Sequence, residues 1–292
     1  MRRLAIVAVL AMLAATLTAG TATASGHLHE RDVAIPAGDH HIPGTLTVPS
    51  DRGLAPYPAV LMLHGFGSQK DEVGDMYARV AEDLAERGIA SLRIDFAGAG
   101  DSAQPFVDNT YDGMVEDGLI ALDYLAHVRR IDGDRIGLLG FSLGTKVAMS
   151  VAALDDRVQA FASWSGSSAN GQEDFQFYFD NYYEEARANG SAVVDLGFTV
   201  VELSIEWFET IAASNNLDLI AEYEGALLAI AGTDDTVVDP RWSKALVRAA
   251  GSADTTLRLI SGADHIYHVL TDDQSFAEQV MHLTARWFDS RL

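Results

Sequence analysis

The pentapeptide Gly140-Phe141-Ser142-Leu143-Gly144 constrains the fold more than any other stretch, because an apolar run ends at it and a helical pattern begins. Arg135–Phe141 reads as a short strand buried on both faces, and Leu143–Leu154 as a helix packed through Leu143, Val147 and Val151. A G-x-S-x-G turn between two such elements is a nucleophile elbow: the sharp strand-to-helix turn lifts the serine hydroxyl above a sheet, and small flanking residues relieve the crowding. In a chain with 25 Gly among 292 residues the spacing alone arises readily by chance, so the flanking elements carry the assignment.

Three further strand ends bear on the same chemistry. Tyr57–Leu63 is apolar and runs into His64-Gly65-Phe66-Gly67, a loop suited to donate one backbone N–H to an oxyanion. The expected donors are the amides of Phe66 and of Leu143, the residue after the serine. Gly225–Ala231 is a strand ending in Gly232-Thr233-Asp234-Asp235, and Thr255–Ile260 is one ending in Gly262-Ala263-Asp264-His265. Ser142, Asp235 and His265 thus follow in the order Ser…Asp…His, each just past a strand, as a nucleophile, an orienting acid and a general base require.

With these motifs goes Leu92-Arg93-Ile94-Asp95-Phe96-Ala97-Gly98-Ala99-Gly100-Asp101-Ser102, and the oxyanion loop continues as Ser68-Gln69-Lys70-Asp71-Glu72. The ordered set resembles the α/β-hydrolase superfamily, and within it the feruloyl and cinnamoyl esterase-like branch, over about residues 40–290. The resemblance implies a mostly parallel eight-stranded sheet with helices on both faces and an inserted cap. It also implies Asp235 rather than the adjacent Asp234 as the acid, since Asp235 is third after Gly232 as in the family pattern. The chain departs from the branch at Phe141, Leu143 and Thr145, where His, Gln and Gly are usual.

Periodicity supplies the rest of the organisation. Glu30–Pro49 offers two strands around Gly38-Asp39, Asp71–Arg87 a helix with Val73, Tyr77, Val80 and Leu84 on one face, and Leu92–Phe96 a strand. Tyr111–Val128 is a second helix, and Val158–Trp164 a sixth strand after the nucleophile helix. Strands alternating with helices require a mostly parallel sheet covered on both sides. Residues 166–224 break the alternation with helical patterning at Val200–Ala213, and are expected to form a cap. Between Phe175 and Phe208 the cap carries nine aromatic residues, among them Tyr182 and Trp207, the candidates for substrate contact; packing between cap elements is the competing role for each.

Residues 1–24 read as a secretory signal, with Arg2 and Arg3, an apolar Leu4–Leu17 and Ala22-Thr23-Ala24 before the cut. Fourteen residues fall short of the roughly 20 that span a bilayer. The mature chain, 25–292, is long enough for one α/β domain, and without Cys it has no disulfide or thiolate metal site. Net charge is −22, and losing Arg2 and Arg3 takes it to −24, which disfavours nucleic acid and anionic membranes as partners. Three Lys against 28 Asp fit either salt adaptation or an ordinary solvated acidic face. His40-His41 lacks a carboxylate cluster at ligand spacing, so edge-strand histidines are favoured over a metal site. Asp239 reads as a helix N-cap before Pro240.

These features imply a secreted serine hydrolase of carboxylic esters that needs no metal or organic cofactor and acts on a small-molecule ester. A peptidase or thioesterase using the same residues is the alternative. A binding protein on a retained fold is a third class, disfavoured because every catalytic position is filled.

Overall fold

Gly38, with φ 68, reverses the chain between β1 (Leu28–Ala37) and β2 (His40–Pro49), which pair antiparallel along their whole length. The computed structural model describes residues 28–50 and 56–292; the signal expected at 1–24 lies outside the described residues. Six further strands join the hairpin: β3 (Tyr57–Leu63), β4 (Ala90–Ile94), β5 (Ile131–Phe141), β6 (Val158–Trp164), β9 (Ala226–Gly232) and β10 (Thr255–Ile260). The sheet order is β1-β2-β4-β3-β5-β6-β9-β10, with β2 antiparallel to both neighbours and the other pairs parallel. The expected eight-stranded, mostly parallel sheet is therefore present.

Helices cover both faces. Between consecutive sheet strands run α1 (Met76–Glu86), α2 (Tyr111–Ala126) and α3 (Leu143–Leu154), with α7 (Arg241–Ala249) before β10 and α8 (Ser275–Asp289) at the end. Along β3 the side chains alternate, Ala59, Leu61 and Leu63 joining one core with residues of α2 and α3, Val60 and Met62 joining another with α1 and α8. The chain leaves β3 for β4 on one side and returns to β5 on the other. That reversal makes the carboxyl ends of β3 and β5 a topological switch point, the place where α/β sheets bind ligands. Leu63 pairs with Gly140, so the loop after β3 and the elbow after β5 start at the same level.

Between β6 and β9 the chain makes a long excursion through α4 (Gln176–Asn189), β7 (Ser191–Asp195), β8 (Val200–Ser204), α5 (Ile205–Ala213) and the short α6 (Asn216–Leu219). The helix expected at Val200–Ala213 begins only at Ile205. Residues 200–204 instead pair antiparallel with β7, burying Val201 and Leu203 while Val200 and Glu202 face out, a period of two. Ser204 then caps the helix, its Oγ accepting from Trp207 N at 3.1 Å. The helix expected from Asp71 likewise starts at Met76, because Glu72, Gly74 and Asp75 hold φ of 63, 61 and 55. The strand expected at Leu92–Phe96 ends at Ile94: Asp95 and Phe96 leave the sheet to bond Lys70 N and His64 Nε2.

Candidate active site

Ser142 occupies the turn from β5 into α3 with φ 51 and ψ −118, a conformation that costs a non-glycine residue on the order of 1–3 kcal/mol. The surroundings over-determine it. Ser142 N donates to Trp164 O at 2.9 Å, while its carbonyl accepts from Thr145 N at 3.0 Å and Ser167 N at 3.1 Å. A Cβ on Gly144 would lie 2.0 Å from Leu63 O, and one on Gly140 would lie 2.6 Å from Gly144 O, so both positions admit only glycine and the first turn of α3 lies against the end of β3. Thr145, where the resembled branch has Gly, returns its Oγ1 to Gly140 O at 2.9 Å and braces the elbow.

The three predicted side chains meet. His265 Nε2 lies 3.2 Å from Ser142 Oγ, and its Nδ1 lies 2.8 Å from Asp235 Oδ2. Since the carboxylate can only accept, Nδ1 carries the proton and Nε2 is left to accept from the serine. The other oxygen of Asp235 accepts from Val237 N and Val238 N, both at 2.9 Å, which fixes the orientation of the carboxylate against His265. Asp234 turns outward and takes a bond from Thr233 Oγ1. Ser165, not singled out by the sequence, donates to His265 O at 2.9 Å and has its Oγ 3.0 Å from Tyr267 OH, holding the loop that bears the histidine. Phe141 packs its ring 5.1 Å from that of His265 and blocks any Cβ at Gly65 at 2.9 Å, so it supports both His265 and the loop after β3.

The two expected oxyanion donors sit at the ends of adjacent strands. Leu143 is the first residue of α3, where amides have no intrahelical acceptor, and Phe66 lies three residues past β3. Among the described residues neither amide donates to a protein acceptor. His64 shapes this loop: its Nε2 accepts from Phe96 N at 3.2 Å, so Nδ1 bears the proton and donates to Gly65 O at 2.8 Å. Burial lowers its pKa, which keeps the ring in the neutral form those two bonds require. Asp95 is structural, accepting from Lys70 N, Lys70 Nζ and Asp101 N. His40 bonds Asp117 on α2 at 2.9 Å, and no group of three metal-ligating side chains occurs among the described residues.

Aromatic rings of the excursion close over Phe66. Trp207 stacks on it at 5.4 Å, and Tyr178 meets it edge-on at the same distance. Trp207 is fully buried in its stack on Phe66, whereas Tyr182 meets the exposed Phe177. Tyr178 is the residue the sequence did not single out; its one-turn offset from Tyr182 on α4 left the two indistinguishable without the helix orientation. The β7–β8 tip also reaches the loop, Leu196 lying 2.6 Å from a Cβ built on Gly67, with Phe198 beside it and 60% exposed. A cleft of about 790 Å³ between β1, β2 and the end of α2 contains none of these residues.

Two family models match the chain: "Esterase FrsA-like" over residues 8–169 and "BAAT / Acyl-CoA thioester hydrolase C terminal" over residues 120–264. The 2,6-dihydropseudooxynicotine hydrolase of Paenarthrobacter nicotinovorans is 36% identical over 129 residues, 44% of this chain and 33% of that enzyme. Esterase FrsA of Salmonella paratyphi B is 30% identical over 138 residues, 47% of this chain and 31% of that protein. The chain therefore spans about a third of the length of these curated relatives. Among solved structures, Est1E from Butyrivibrio proteoclasticus with bound ferulic acid superposes with a TM-score of 0.72 at 21% identity, over 89% of this chain and 98% of that one. That likeness establishes the α/β-hydrolase fold.

Proposed function

Because this chain belongs to the FrsA-like esterase family and is a hydrolase by that kinship, we propose that it cleaves carboxylic esters through Ser142, His265 and Asp235. One observation carries the reading: hydrogen bonds run unbroken from Asp235 through His265 to Ser142. His265 takes the serine proton as Oγ attacks the ester carbonyl, and Asp235 stabilises the imidazolium that forms. The amides of Phe66 and Leu143 bind the tetrahedral oxyanion, which lowers the barrier because they are oriented before the reaction. The alcohol departs with the proton from His265, and water repeats the sequence on the acyl-enzyme.

The excursion between β6 and β9 acts in this reading as a cap whose aromatic rings favour aryl or short-to-medium acyl groups over long chains. The substrate is a small-molecule ester, and the protein works outside the cytoplasm after losing residues 1–24. The match to an acyl-CoA thioester hydrolase model supports a second reading, thioester cleavage by the same residues. A panel of phenyl-bearing, butyrate, octanoate and palmitate esters, with matched amides and thioesters, separates these readings by kcat/KM. Highest efficiency on an aryl or short ester is the expected result; a preference for palmitate with activation at an oil interface, or for the thioester, contradicts it.

A further inference from the structure

We propose that Glu72 is a positioning residue of the oxyanion hole, its two carboxylate oxygens clamping both ends of the Gly65–Ser68 turn and thereby fixing where the Phe66 amide points. The inference rests on the acyl-transfer role given to Ser142. Glu72 Oε2 accepts from Gly65 N at 2.7 Å, while Oε1 accepts from Ser68 Oγ at 2.6 Å and Val73 N at 2.8 Å. The turn itself is closed by Ser68 N donating to Gly65 O at 3.2 Å, and His64 Nδ1 donates to the same carbonyl. A trans peptide is planar, so the Phe66 N–H must point opposite to Gly65 C=O. Pinning that carbonyl towards His64 and Ser68 therefore directs the Phe66 N–H away from both.

The backbone at Glu72 argues that the carboxylate itself is what the position requires. The residue is 3% exposed and holds φ 63 and ψ 170, where glycine would be less strained. A position that served only to bend the chain would suit glycine; a glycine there would leave Gly65 N without its acceptor. Among the described residues Glu72 makes no hydrogen bond or ion pair with Ser142 or His265, so it acts through the loop.

Glu72→Gly keeps the backbone conformation accessible and removes the clamp, whereas Glu72→Gln retains an oxygen for Gly65 N and an amide N–H for Ser68 Oγ, giving up only the bond from Val73 N, which lies outside the Gly65–Ser68 turn. Glu72→Asp, one methylene shorter, cannot span the turn and stands in if the glycine variant does not fold. Each is compared with wild type for kcat and KM on an aryl ester, for the rate of Ser142 phosphonylation, whose tetrahedral adduct occupies the same hole, and for Tm. The glycine variant should lose about 10–100-fold in kcat and a similar factor in phosphonylation with KM little changed, less than the roughly 10²–10³ of a deleted donor. Gln should recover most of the loss. Wild-type kcat and labelling in the glycine or aspartate variant, or a Gln variant no better than either at equal Tm, overturns the clamp. A wild type that is phosphonylated but hydrolyses no ester refutes the ester reading alone, leaving the labelling rates to judge Glu72; a wild type inert to the probe refutes both.

Discussion

Asp234 and Asp235 are neighbours of the same type, and a difference of one residue in direction separates their roles. Only Asp235 reaches His265, and its second oxygen is already held by two amides. Asp235→Asn should therefore lower kcat by about 10⁴, the loss of a triad acid whose replacement favours the wrong tautomer, while Asp234→Asn stays near wild type. Steady-state kinetics on one aryl ester checks it, and the reverse ranking contradicts it. His64 offers a test by pH. Its folded pKa is lowered by burial, so the unfolded chain binds the proton more readily, and the stability present above about 6.5 is lost as pH falls towards the folded value. Urea unfolding between pH 7 and pH 5 should show wild type losing up to about 1.4 kcal/mol per pH unit more than His64→Gln. Parallel slopes would contradict a neutral, buried ring.

At the scale of elements, a buried ion pair joins α3 to the excursion. Lys146, one turn after Ser142, lies 3.5 Å from Asp174, which precedes α4, and both side chains are fully shielded from solvent. Lys146 Nζ also donates to Ala169 O, and Asp174 Oδ2 accepts from Ala169 N at 3.0 Å. Burial lowers the pKa of Lys146 and raises that of Asp174, marking how unfavourable each charge is without the other. Lys146→Met should cost about 3–5 kcal/mol by denaturant unfolding, and Lys146→Met with Asp174→Leu should recover most of it. A double variant as unstable as the single one would show that the pair is not the source. Neither residue stood out in the sequence, because partners 28 positions apart carry no local signature. The strand ends did, since Ser142, Asp235 and His265 each follow a short apolar run whose period is visible directly. Residues 200–204 were misread as helix because five residues of alternation were overrun by the longer pattern of α5. The start of α1 was obscured by Glu72, whose side chain serves the loop at the expense of the helical turn.

Across the whole molecule the dominant property is charge. At −22 the surface repels itself, so salt that screens within about 10 Å at 0.1 M should raise Tm, with most of the gain below roughly 1 M. A Tm that falls or stays flat with added NaCl would argue that the acidic residues are already compensated by local partners. If the exported protein is processed as proposed, its first residue is Ser25; N-terminal sequencing that recovers Leu4–Leu17 on exported material would overturn that reading. The central claim concerns Ser142, and labelling tests it most directly. Wild type and Ser142→Ala, each shown folded by circular dichroism, are treated with a fluorophosphonate, digested and analysed by mass spectrometry alongside assay of an aryl ester. A single adduct on Ser142 in wild type, none in the variant, and hydrolysis lost with it is the predicted result. An adduct elsewhere, or comparable ester turnover by Ser142→Ala, would contradict the account.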